Sequence, residues 1–428
     1  MHRLLPLACA TLLLLSLTGC LQEDEAEAHV AAHLWAERYQ PVANISDVRS
    51  GGLPEVSLHY TRAGEGIRQA GIGEQVFLCY SVYVENMQPF SVTAHCSVDG
   101  EDLSPFDPEH AHLPTQYETA LHLGLPAPVT NRLDVGNREV YSFRWPYRFS
   151  SYGSHHFTAY LKADDGTVIG KIERNISVEP PGTDDDRWAL LVTVDPPGDE
   201  IAAWKDGALV WSLLHHRYGF PYTQVLHLSN GGATRDRVID LMSWLSERTT
   251  RDTILVCWIS GHGGIERFGD QDSEIRDGAI QLWEGTLYDG DVATFYADAS
   301  SQHILSVVDT CFSGEFGGPD DLERIFTQLR RQPSMEETGR VLMTSATTFT
   351  RSKATENGGI FTTLMAGGLA GAANSLGLTA DDFPYGNGDG KISAEEAGYW
   401  AVLHCYARPG FGFPQLNDCH SGDLFLES

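Results

Sequence analysis

Positive charge is in short supply in this sequence. The 428-residue chain carries 29 lysines and arginines against 58 aspartates and glutamates, a formal net charge of -29, so the average surface repels a polyanion and nucleic acid is not an expected partner. Long apolar runs are scarce as well. The run Leu4 to Leu17 is too short to cross a bilayer as a mature helix, and a composition of 42% hydrophobic and 20% charged residues excludes both a multi-span membrane protein and a mostly disordered chain. No set of histidines and cysteines has the spacing of a zinc site. What is present is a globular composition with nine tryptophans and a length that suggests two or three domains at roughly 150 residues each.

The first residues read as an address. Met1-His2-Arg3 supplies a positive end, the apolar run follows, and Leu17-Thr18-Gly19-Cys20 closes it with small residues and a cysteine. This resembles a bacterial lipobox. The resemblance implies that residues 1–19 are a lipoprotein signal peptide and that Cys20 becomes a lipidated N-terminus, anchored by hydrocarbon burial. Residues 20–49 are then the lipidated cysteine and an acidic tether, with Gln22 to Glu27 as its solvated start. Leu21 stands where an aspartate would resemble an inner-membrane retention signal, so the expected location is exported and lipid-anchored, on the outer membrane or cell surface. Among the remaining cysteines, neighbours in sequence are candidate disulfides in an oxidising compartment: Cys79 with Cys96, and Cys405 with Cys419. Cys257, in the apolar run Thr253 to Ile259, reads as a small buried hydrophobe.

Two patterns divide the rest. Residues 50–179 hold short runs rich in aromatic and β-branched residues, such as Val76 to Val84 and His156 to Leu161, separated by turns such as Asp164-Asp165-Gly166. This predicts a β-sandwich, and the stretch Tyr147 to Ala163 looks like the penultimate hairpin of an immunoglobulin-like domain. Its partner is not specified by anything in the sequence. Residues 180–186 are a Pro-, Gly- and acid-rich linker. In residues 187–428, apolar strand runs (Trp188 to Val194, Val225 to Leu228, Ile254 to Ile259, His303 to Val308) alternate with segments of helical period (Asp206 to Tyr218, Thr234 to Ser246). Alternation of this kind predicts an α/β domain with a mainly parallel sheet flanked by helices, whose ligands bind beyond the carboxyl ends of the strands.

Two of those strand ends carry chemistry. One runs into Ser260-Gly-His-Gly-Gly264 and the other into Asp309-Thr-Cys-Phe-Ser-Gly314. Glycines around His262 let the backbone turn sharply and offer an amide to an oxyanion, while a thiol across the same crevice suits thiolate attack on a carbonyl with histidine moving the proton. The set resembles the catalytic pair of metacaspases and other bacterial caspase-like peptidases, in which the histidine lies about 50 residues before the cysteine. Here the separation is 49. The likeness extends over Arg187 to Ser428 through Lys205-Asp206-Gly-Ala208, Ala233-Thr234, Gly358 to Thr362 and Phe413-Pro-Gln415. It implies Cys311 as nucleophile, His262 as proton-transfer partner, and the amides of Gly263 and Cys311 as oxyanion hole. It also implies Asp309 and Asp206 as the acids that receive an arginine or lysine before the scissile bond, a bidentate match to guanidinium. The expected activity is that of a cysteine endopeptidase on protein or peptide substrates. Alternatives are legumain-like specificity for Asn or Asp, and a non-catalytic surface scaffold.

The chemistry needs no cofactor, but one loop has the look of a calcium site. Asn387, Asp389, Ser393 and Glu396 match the latter part of an EF-hand loop, with Tyr385 where the first carboxylate belongs. The competing expectation is a turn plus a helix N-terminus. Arg330-Arg331, in the segment after Cys311, would be a natural self-cleavage site for an arginine-specific enzyme.

Overall fold

In the computed structural model the described residues are 29–48, 52–72, 75–85, 90–103, 132–135, 139–178, 186–195, 201–267, 269, 277–317, 339–408 and 410–427. Cys20, Arg330 and Arg331 lie outside the described residues.

The N-terminal unit is β, antiparallel except for one short parallel pairing. Among the described residues its strands are β1 (His29–Val48), β2 (Pro54–Glu65), β3 (Gln69–Ala70), β4 (Gln75–Glu85), β5 (Phe90–Val98), β6 (Glu101–Leu103), β7 (Arg132–Val135), β8 (Glu139–Arg148), β9 (Gly153–Ala163) and β10 (Val168–Val178). They form two sheets, β2-β1-β4-β8 and β3-β10-β9-β5-β6, with β7 paired to β5. Period-two alternation turns one side of each sheet inward. Along β9 the buried residues are His155, Phe157, Ala159 and Leu161, and the last three share a core with Val76, Leu78, Tyr80 and Val82 of β4.

This unit differs from the sequence-based expectation in two places. The segment expected as tether up to residue 49 is strand from His29 onward, paired with β4 over His29 to Arg38 and with β2 from Glu37. Its alanines and Pro41 hid it, but Pro41 sits where β1 has already left β4 and one edge needs no ladder donor. The expected Cys79–Cys96 bridge does not form. Cys96 points into the core between the sheets, whereas Cys79 alternates with Leu78 and Tyr80 and faces the opposite side of β4.

The C-terminal unit is a three-layer α/β arrangement. Its elements, in chain order, are β11 (Arg187–Thr193), α1 (Ala203–Ser212) continued by a π-helical turn (Leu213–Arg217), β12 (Val225–Ser229), α2 (Arg235–Ser246), β13 (Ile254–Ser260), β14 (Gly263–Glu266), β15 (Asp277–Gln281), β16 (Thr286–Tyr288), α3 (Asp289–Asp298), β17 (His303–Asp309), β18 (Arg340–Thr344), β19 (Ala354–Thr355), β20 (Gly358–Gly359), α4 (Ile360–Ala370), α5 (Ala394–Tyr406) and β21 (Gln415–Cys419). The main sheet runs β12-β11-β13-β17-β18-β21, parallel except for the edge strand β21. Continuous apolar runs fit strands covered on both faces. Trp188, Leu190 and Val192 pack toward α2 and α3, while Ala189 and Leu191 pack toward α1, α4 and α5. Cys405 points from α5 into this second core, and Cys419 ends the edge strand beside Arg340. The expected Cys405–Cys419 bridge is therefore absent as well; burial pushes the Cys405 thiol up to about 12.

The two units are joined by more than a linker. Where β1 leaves β4, its free edge is taken up by the α/β unit: the Ala43 amide donates to Ser212 Oγ at 2.8 Å, and the Val48 amide to the Ala373 carbonyl at 2.8 Å. On the other side Tyr152 packs on Trp244, which meets Trp188 edge-on.

His227 on β12 is a fully buried imidazole held to Thr193 Oγ1 at 2.7 Å, and burial lowers its pKa well below the usual value. The unfolded chain, with a histidine pKa of about 6.5, therefore binds the proton first as pH falls. Stability is complete above that pH and declines below it by about 1.4 kcal/mol per pH unit until the folded imidazole itself protonates. Urea midpoints measured from neutral to mildly acidic pH will show this limb, and His227→Gln, which keeps a partner for Thr193, will remove it.

Candidate active site

β13 and β17 are parallel neighbours whose last paired residues are Ser260 and Asp309. His262 and Cys311 each lie two residues beyond that pair, so the topology delivers both to the same carboxyl edge of the sheet. The turn after β13 is tight: a Cβ on Gly263 would stand 2.3 Å from the Cys311 carbonyl oxygen and 2.6 Å from Thr310 Oγ1. Only glycine allows this approach. The His262 carbonyl accepts the Gln281 amide at 2.9 Å, which makes Gly263 and Ile280 a non-hydrogen-bonded pair and turns the Gly263 N–H away from β15.

The turn after β17 is strained and anchored. Phe312 follows Cys311 at φ 59°, a left-handed conformation that a bulky residue adopts only when its surroundings impose it. Its amide donates to the Thr350 carbonyl at 2.9 Å, and buried Ser313 accepts the Ala346 amide at 3.0 Å. At Gly314 a Cβ would meet the Thr348 nitrogen at 2.4 Å. His262 and Cys311 are both half-buried, and the Cys311 thiol donates to the Ser352 carbonyl with S···O 3.9 Å.

Asp309 and Asp206 lie side by side beneath this edge, 4% and 1% exposed, so neither is an ordinary surface acid. Asp206 accepts from Ser260 Oγ at 2.5 Å and from the Gly359 amide at 2.9 Å. Asp309 accepts from Ser352 Oγ at 2.7 Å and from both the amide and the hydroxyl of Thr362, at 2.9 and 2.8 Å. The donors are the amide of Gly359, which caps α4, and that of Thr362 in its first turn, among the amides a helix start leaves without intrahelical partners and that suit carboxylates. Burial, with Asp309 adjacent, pushes the Asp206 carboxyl well above the usual range. Ser352 and Thr362 carried no signal as acid partners in the sequence.

The Asn387 to Glu396 loop lies apart from this cluster, leading into α5. Glu396 accepts the Ser393 amide at 3.0 Å through one carboxylate oxygen and the Asn387 amide at 2.8 Å through the other, while Ser393 Oγ accepts the Glu396 amide at 3.2 Å. That is a capping box. Asn387 and Asp389 each take an amide two residues ahead. Among the described residues no group of three or more His, Cys, Asp or Glu side chains is gathered as a metal site, and no helix is long and apolar enough to cross a membrane.

No family model matches the chain, and no curated protein matches it. Solved structures similar to it include protein GSU0716 from Geobacter sulfurreducens, at 17% identity and TM-score 0.39 over 56% of this chain and 97% of that one. The Drosophila initiator caspase Dronc is similar at 10% identity and TM-score 0.34, over 56% and 82% of the two chains. The CARDB domain of the PF1109 protein from Pyrococcus furiosus, solved with di-metal ions, is similar at 9% identity and TM-score 0.19, over 33% and 89%. A caspase thus stands among the distant structural neighbours. At these scores none of the three fixes the fold.

Proposed function

We propose that the chain is a cysteine endopeptidase of the caspase type. Cys311 attacks the carbonyl carbon of a peptide bond as thiolate, its proton passing to His262. The Gly263 and Cys311 amides receive the oxyanion, the leaving amine takes the proton from His262, and water then releases the acyl group from sulfur. The observation that carries this reading is the contact between Gly263 and the Cys311 carbonyl, which sets the histidine turn against the cysteine turn at the carboxyl edge of a parallel sheet. We take the N-terminal sheets as an immunoglobulin-like sandwich and Cys20 as the lipid anchor of an exported protein.

For the residue before the scissile bond we infer arginine or lysine, because two buried acids lie next to the nucleophile. Comparing peptides that differ only there (Arg, Lys, Asn, Asp) tests it with the full chain in detergent. Cleavage after Asn or Asp keeps the dyad and discards the acid pocket; no cleavage and no thiol reactivity favours the scaffold.

The acid pair gives a pH dependence of defined sign. A cation bound there favours both ionised carboxylates, so binding expels the proton that the raised Asp206 carboxyl holds. KM for an arginyl peptide will therefore fall as pH rises. Asp206→Asn will flatten that profile, as steady-state kinetics across the pH range will show.

A further inference from the structure

We propose that Ser352 is a positioning residue through which a cation at Asp309 releases the Cys311 thiol; the idea rests on the roles given to Cys311 and Asp309 above. Its carbonyl and its hydroxyl have different partners. The carbonyl accepts the Cys311 S–H at 3.9 Å, and the hydroxyl donates to Asp309 Oδ1 at 2.7 Å.

The strand of chain around Ser352 is tied down on both sides. Thr350 accepts the Phe312 amide and Lys353 accepts the Ile360 amide, each at 2.9 Å, and Lys205 Nζ donates to the Glu356 carbonyl at 2.7 Å. Ser352 itself is half-buried in a loop. The donors on Asp309 Oδ2, the Thr362 amide and hydroxyl, are buried in the first turn of α4. Oδ1 is thus the oxygen that a guanidinium or ammonium can claim, exchanging a neutral hydroxyl for a charge-assisted bond about twice as strong. Freed of Asp309, the short stretch between the Thr350 and Lys353 ties turns at Ser352, and its carbonyl leaves the thiol. The hydrogen that sulfur had directed at that carbonyl then passes to His262, and the thiolate forms where the substrate is already bound.

The test measures alkylation of Cys311 by iodoacetamide in the full chain at neutral pH, quantified by peptide mapping, with and without agmatine as a guanidinium probe. Loss of one hydrogen bond corresponds to about a fivefold change. Agmatine should raise the wild-type rate by about that factor. Ser352→Ala should start about fivefold faster and gain little from agmatine, and Ser352→Thr should restore wild-type behaviour. A Ser352→Ala rate equal to wild type without agmatine overturns the tie to the thiol. A fast variant that still responds fully to agmatine overturns the coupling, and so does cleavage of arginyl peptides with no agmatine effect on wild type. If wild type neither cleaves those peptides nor responds to agmatine, the acid-pocket reading falls, while the comparison of Ser352→Ala with wild type still decides the thiol tie. Thermal melts establish that each variant is folded, and Ser352→Gly replaces the alanine variant if it is not.

Discussion

Cys311→Ala should abolish peptide hydrolysis, and His262→Ala should lower kcat by about a thousandfold with the fold intact. The first loss is total because, among the described residues, no other thiol can take the place of Cys311. Among the described cysteines, Cys79, Cys96, Cys257 and Cys405 are buried, and Cys419 ends the edge strand by pairing with Arg340, at the opposite end of β18 from the candidate site. The second loss is the usual scale of a positioned acid–base group, about 10²–10⁴ in rate. Neither side chain is part of the two hydrophobic cores, so melting temperatures should stay close to wild type. Steady-state kinetics with thermal melts check both halves. Variants that keep turnover within a few-fold of wild type would remove the dyad.

The C-terminal unit should not fold when cut free at Arg187. The cut strips Trp244, which Trp188 meets edge-on, of Tyr152 and removes the β1–β2 hairpin, whose Val48, Leu53 and Val56 pack into the core formed by α1, α4 and α5. Pro54 lies so close to α4 that a Cβ on Gly367 would stand 2.5 Å from its Cγ. Residues 187–428 expressed alone should lack a cooperative urea transition. A single substitution makes the same point: Val48→Asp puts a carboxylate at a site 7% exposed, costing on the order of 3 kcal/mol, and activity should fall with it because Thr362 of α4 and its cap Gly359 are partners of the acids. A soluble fragment with a sharp transition would show the two units to be independent.

Much of this was legible in the sequence for a physical reason. A strand buried on both faces must be apolar throughout, so Trp188 to Val194 and Ile254 to Ile259 announced a parallel sheet, and a two-residue periodicity such as that of β9 announced a half-buried one. The strand-end positions of His262 and Cys311 followed. What stayed hidden depends on contacts distant in the chain. β1 has few strand-forming residues over His29 to Arg38 and is held by β4 and β2 rather than by its own preference. The short strands β18 and β21 reveal themselves only by their pairing, β18 with β17 and β21 with β18. Sequence neighbours among the cysteines suggested bridges that side-chain direction forbids. The saturation of Asp206 and Asp309 by Ser260, Ser352, Gly359 and Thr362 joins residues up to 153 apart, and no local motif encodes it.

The most direct measurement is acid quenching of the full chain during turnover of an arginyl peptide ester, followed by peptide mapping of the trapped acyl group. The account predicts a thioester on Cys311, with no adduct in Cys311→Ala. An acyl group on any other residue, or turnover with no covalent intermediate, would contradict it.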